Sequence, residues 1–145
     1  MQIPHNAAVL VADGRKMLFL RNKGDATHPN LVVDMAEEQK NPADHEQRTD
    51  SPGHSAHDGS RRSTMNEGDL HQRAEDRFAV DAAGLLKARA LAKDFEALIV
   101  VAPPHTLGEL RKHYHDSVSA RIVGELDKDL TDFPIADIES AIKAA

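Results

Sequence analysis

A chain of 145 residues is long enough to bury one hydrophobic core and too short for two comfortable domains. Its formal net charge of −6 argues against a generally basic coat for nucleic acid or membrane surfaces, and the absence of Cys excludes disulfides, thiolate catalysis and Cys-ligated zinc or iron–sulfur centres. With no Trp, one Tyr and four Phe, the core has to be aliphatic, built from Val, Leu, Ile and Ala.

The opening MQIPHNAAVLVADG has no basic lead, and its apolar run spans only residues 7–12. A second run, residues 97–102, is equally short. Neither suits a signal peptide or a membrane span, so the chain reads as cytoplasmic, without membrane contact. Residues 7–12 and 16–20 are strand-like and separated by Asp13-Gly14. Asp-Gly between two such runs predicts a hairpin closed by a type I′ turn, which needs positive φ at both central positions. A third strand is expected at residues 31–35, LVVDM, after a turn-rich link.

From residue 39 to residue 72 the character changes. Only Ala43, Ala56, Met65 and Leu70 are apolar there, and no aromatic or β-branched aliphatic residue occurs. Such a stretch cannot bury enough surface to offset its ordering entropy, which predicts a polar, mobile loop within a single domain spanning residues 1–145. A long helix follows over residues 70–93, with Ala74, Phe78, Ala82, Leu85, Ala88 and Ala92 at three- and four-residue steps along one face.

The segment LIVVAPPHTLGELR then gives a buried strand, two prolines that end it, and a helix running to about residue 115. Thr106 and Glu109 stand at capping-box spacing. A last strand at residues 122–126 and a helix at 134–143, with Asp132 as its cap, complete the order βββ, loop, α, β, α, β, α. A buried strand breaking into a helix is half of an α/β unit, and ligands in such sheets sit at the carboxyl ends of the strands.

Candidate chemistry is sparse. His54 and His57, with His45 or His71, could hold a metal within the polar loop, the setting for a metal-dependent hydrolase. That stretch carries no ordering signal to fix ligands in place. His113 and His115 point to different faces of a helix. Asp13 and Asp34 could share a sheet rim, although a turn accounts for the first and an edge strand's solvent face for the second. No G-x-S-x-G elbow and no phosphate-binding G-x-x-x-x-G-K-[ST] loop is present. No catalytic residue, metal site or cofactor is assigned. Arg48, Arg61, Arg62 and Arg73 bracket the polar loop and the start of the long helix, where they could contact phosphates of RNA.

Taken in order, VLVADGRKMLFL, SPGHSAHDGSRRST, AEDRFAVDAAGLL, LIVVAPPHTLGELR and GELDKDLTDFP resemble the bacterial host-attachment protein family over residues 8–142. The most specific parts are Phe78 in its helix, Ala102-Pro103-Pro104 with Leu110, and Lys128-Asp129-Leu130-Thr131. That family is grouped with the middle domain of archaeal and eukaryotic class-one release factors and Pelota-like proteins. The resemblance implies an α/β fold, a mixed central sheet of about five strands with flanking helices, in a ribonuclease H-like topology. Release factors carry a Gly-Gly-Gln tip in the loop before the long helix. The matching region here has Gly53, Gly59 and Gly68, while Gln47 and Gln72 stand alone, so no catalytic residue is carried over. The reading is a non-enzymatic, cytoplasmic binding or regulatory protein with an indirect effect on attachment to host cells. Its rival is an RNA- or ribosome-associated translation or rescue factor using the Arg-bearing loop. The sequence specifies neither the partner nor the oligomeric state.

Overall fold

A computed structural model describes residues 1–39 and 67–145. In chain order the elements are β1 (Ala8–Ala12), β2 (Lys16–Asn22), β3 (Leu31–Glu38), α1 (Glu67–Leu91), β4 (Leu98–Val101), α2 (Pro104–His113), α3 (Asp116–Ser119), β5 (Ile122–Leu126) and α4 (Ile135–Ala144). The strands form one sheet in the order β3-β2-β1-β4-β5. β1 pairs antiparallel with β2 and parallel with β4, β3 is antiparallel to β2, and β5 runs parallel to β4.

The period-two alternation of a strand divides the core into two layers. Ala8, Leu10 and Ala12 of β1, with Leu98 and Val100 of β4, pack under α1 and α2 against Phe78, Leu86, Leu107 and Leu110. Val9 and Val11, with Ile99 and Val101, face the other way onto Ile138 and Ile142 of α4. Both central strands are buried throughout, which is why they read as unbroken apolar runs rather than as alternating ones. Small side chains on α1, Ala79, Ala82, Ala83 and Ala90, let that helix lie close on the sheet.

Several local expectations change. The hairpin forms, but no glycine among the described residues has positive φ, so the turn is not type I′. Asp13 closes it instead: one carboxylate oxygen accepts from the backbone N–H groups of Arg15 and Lys16, both at 2.7 Å. The Thr106–Glu109 capping box does not form. α2 starts earlier, with Pro103 at the cap and Pro104 at the first helical position, where a missing N–H costs nothing. Asp132 does not cap α4, which starts after Pro134 without a side-chain cap; Asp132 lies 3.6 Å from Lys16 Nζ.

α1 begins at Glu67, so residues 67–72 are helical rather than loop; residues 40–66 of the predicted loop lie outside the described residues. The buried stripe of α1 continues through Leu86 and Ala90, whereas Ala88 is exposed and Ala92 lies past the helix end. Strict three- and four-residue steps drifted off the 3.6-residue period. His113 ends α2, and His115 caps α3, its Nδ1 accepting from the Ser117 N–H.

Two buried polar residues of β2 tie the antiparallel half together. Arg21, 5% exposed, donates to the Asp94 backbone oxygen at 2.6 Å and to the Asp94 carboxylate at 2.7 Å. Lys93, at φ 59, ends α1 in the left-handed region and swings Asp94 back to accept from Arg89 as well. Burial pushes the Asp94 carboxyl up, but the hydrogen bonds from Arg21 and Arg89 outweigh it and hold the group below its ordinary value. A bulge skips Asp34 between the pairs Phe19–Met35 and Leu20–Val33, and re-aims its carboxylate onto Arg21 at 3.3 Å. Asn22, fully buried, donates to the carbonyls of Ile3 and Pro4 and accepts from the N–H groups of Gly24 and Asn30.

Candidate functional site

Three parallel strands end on the same edge of the sheet. After β1 the chain turns towards β2, and after β4 it turns through α2 towards β5 on the opposite side. The divergence leaves a crevice over the carboxyl ends of β1 and β4. A cleft of about 300 Å³ occupies it, lined by Asp13, Arg15, Gln72, Glu75, His105 and Asp129 among others.

Each group arrives there for a local reason. Asp13 follows directly on β1; its second carboxylate oxygen accepts from the Thr131 hydroxyl at 2.8 Å. Thr131 is 2% exposed, and its Oγ1 also lies 3.1 Å from Asp129 Oδ1, so one buried hydroxyl bridges the segments after β1 and β5. Gly14 lets α1 approach: a Cβ there would sit 2.6 Å from the Glu75 side chain. The two prolines after β4 place His105 in the first turn of α2, facing α1.

His105 Nε2 is 2.6 Å from Gln72 Nε2 and 3.1 Å from Asp76 Oδ1, and Gln72 Nε2 donates to the same Asp76 oxygen at 2.8 Å. One helical turn beyond His105, Glu109 accepts from Lys112 Nζ at 3.0 Å. Its carboxylate, the His105 ring and the Asp76 carboxylate offer three ligand atoms within 4.8 Å of one another. Among the described residues the cleft lining thus carries Asp13, Glu75 and Asp129 against Arg15 alone of the permanent cations, a balance that disfavours a phosphate and favours a cationic or neutral guest.

Elsewhere, Arg111 makes a forked contact with Glu125 at 2.8 and 3.2 Å, and Tyr114 donates to the same carboxylate at 3.4 Å. Burial, then the Glu125 charge, push the Tyr114 hydroxyl well above its ordinary value, so it stays protonated. This cluster braces α2 against β5.

Of the sequence-derived phosphate contacts, Arg73 is exposed on α1, while Arg48, Arg61 and Arg62 lie outside the described residues, as do His45, His54 and His57. Asp13 and Asp34 do not pair: the first lines the cleft and the second is bound to Arg21 on the edge strand. The residues missed from sequence are Gln72, Asp76 and Glu109. His105 and Glu109, four apart on one helix, carry a legible same-face signal. Nothing in the sequence shows that Asp76 meets them.

A three-layer α/β/α domain, with strand order 3-2-1-4-5 and a polar cleft over its parallel edge, is the class defined by this fold and site. The chain belongs to bacterial archaeo-eukaryotic release factor family 12, whose model matches residues 6–142. None of the curated proteins matches it. The release-factor-like resemblance and the mixed five-stranded sheet are thereby borne out; the match gives no support to the host-attachment name. Among the described residues no helix is long and apolar enough to cross a membrane.

Proposed function

We propose that the chain is a translation-associated factor that binds the ribosome or RNA without Gly-Gly-Gln chemistry. The observation that carries this reading is membership of a release-factor family along nearly the whole chain, in a sequence that lacks the Gly-Gly-Gln tripeptide. The acidic cleft is a poor phosphate site, so the contact with nucleic acid falls to the arginines. Arg73 and Arg77 are exposed one turn apart on α1, and Arg48, Arg61 and Arg62 precede that helix in sequence.

Ribosome pelleting in graded salt, with and without nuclease, tests the proposal. Co-sedimentation is expected at low salt and should weaken steeply as salt rises. Combined substitution of Arg61, Arg62 and Arg73 by Ala should weaken it further and flatten the salt dependence. Each lost phosphate contact removes about 0.7–0.9 from the logarithmic slope. No association at low salt refutes the reading.

A further inference from the structure

We propose that Asp76, His105 and Glu109 form a binding site for one divalent transition-metal ion at the rim of the cleft, with Gln72 as an outer contact. The first argument is hydrogen-bond arithmetic. With the Asp76 carboxylate ionised, its Oδ1 can only accept, and the Gln72 amide nitrogen can only donate. If His105 Nε2 carries a proton, its 2.6 Å contact with the Gln72 nitrogen sets two donors against each other. If Nε2 is bare, its 3.1 Å contact with Asp76 sets two lone pairs against each other. Exchanging the two ends of the Gln72 amide moves the conflict to the 2.8 Å edge with Asp76. No assignment satisfies all three edges. A cation drawing on both the imidazole and the carboxylate lone pairs removes the repulsion along the His105–Asp76 edge; Gln72 then moves off His105 Nε2 and keeps its hydrogen bond to the bound carboxylate.

The geometry agrees. Metal–ligand bonds of about 2.0–2.2 Å to nitrogen and oxygen put neighbouring ligand atoms about 3.0–3.5 Å apart, and Asp76 Oδ1 and His105 Nε2 stand at 3.1 Å. His105 and Glu109 form a four-residue chelate on α2, and Asp76 closes it from α1. Both helices are fixed by their other faces: Leu107 and Leu110 on α2 and Phe78 and Ala79 on α1 are buried in the core. The Glu109 carboxylate has to release Lys112, an ion pair whose ammonium side is 66% exposed and holds it weakly. Glu75 and Asp129 add negative potential from the cleft, with no cation but Arg15 lining it among the described residues.

One imidazole and two carboxylates suit Zn²⁺, Mn²⁺ or Fe²⁺ rather than a soft ion. Three protein ligands leave at least one position open, as in sites that bind a water or substrate rather than closed structural ones. This is a different histidine from those in the polar stretch at residues 39–72, and it does not depend on ribosome binding.

Protein purified without a polyhistidine tag and stripped with chelator should be titrated with Co²⁺, following the visible ligand-field bands, and with Zn²⁺ by calorimetry. One ion per chain is expected. His105→Ala and Asp76→Asn should each weaken binding by at least about 100-fold, since even outer contacts are worth 10–100-fold. Gln72→Ala should cost about tenfold, and Lys112→Ala should tighten binding by freeing Glu109. The pair His54→Ala with His57→Ala should leave it unchanged. Zn²⁺ should raise the melting temperature of the native protein but not of His105→Ala. Asp76→Asn, which preserves shape, keeps the test valid if His105→Ala does not fold. Undiminished binding in Asp76→Asn, or no Co²⁺ bands at millimolar metal, overturns the proposal.

Discussion

Substituting Asn22 by Ala tests how the antiparallel half of the sheet is held. Its side chain is fully buried and meets four backbone groups at 2.8–3.1 Å: the carbonyls of Ile3 and Pro4 and the N–H groups of Gly24 and Asn30. Removing the amide leaves the Ile3 carbonyl buried without this partner, at about 2 kcal/mol for a desolvated acceptor. The other three groups are part-buried and recover water in part, adding roughly 0.5 kcal/mol each by the net worth of an ordinary hydrogen bond. The expected loss is therefore about 3.5 kcal/mol, or roughly 7–14 °C in melting temperature for a domain of this size. Urea unfolding followed by far-ultraviolet circular dichroism, suited to a chain without Trp, measures it. The midpoint should fall with the slope unchanged. A loss below about 1 kcal/mol would show that residues 22–30 fold without this residue as their hub, refuting the hydrogen-bond accounting.

Acid titration addresses Asp94. Its carboxyl is held below the unfolded value of 3.8, so its stabilising effect is complete above that value and fades as pH falls through the lower, folded one. Asp94→Asn should therefore be less stable than the native chain at pH 7, and the two stabilities should converge below pH 3.8; a gap independent of pH would show that the charge is not what matters. Lys93 holds the left-handed position after α1 at φ 59. Lys93→Gly relieves that strain and should raise stability by up to about 1 kcal/mol, whereas a loss in thermal or urea unfolding would mean that the Lys side chain contributes more than its backbone costs.

How far the sequence discloses this protein depends on the range of each interaction. Ile99, Val100 and Val101 announced a buried strand because burial on both faces suppresses alternation. Asp13-Gly14 announced a hairpin, yet the turn chemistry was misread, since a carboxylate accepting two N–H groups replaces the positive φ that Asp-Gly usually supplies. The capping box at Thr106 was a sound local pattern displaced by two prolines that start the helix on their own. The bulge at Asp34 left no trace, because it answers to Arg21 on another strand. The cleft was legible only in part. Asp13 stood out at its turn, but Asp76 lies 29 residues before His105, and only the packing of α1 on α2 joins them. Arg48, Arg61 and Arg62 carry a nucleic-acid reading that geometry does not reach, because they lie outside the described residues.

The parallel pairing of the two central strands has a kinetic side. β1 finds one neighbour at once in β2, but its other neighbour, β4, arrives late: Ala8 is paired with Leu98, ninety residues downstream. At synthesis rates of roughly 5–20 residues per second, the AVLVA strand waits about 5–18 s with one edge of its backbone unsatisfied. Such an apolar edge is a template for pairing with another nascent chain. Ribosomes translating this message in close succession would carry that edge side by side, so the domain's yield in the cell should depend on crowding along the message as well as on its stability once folded.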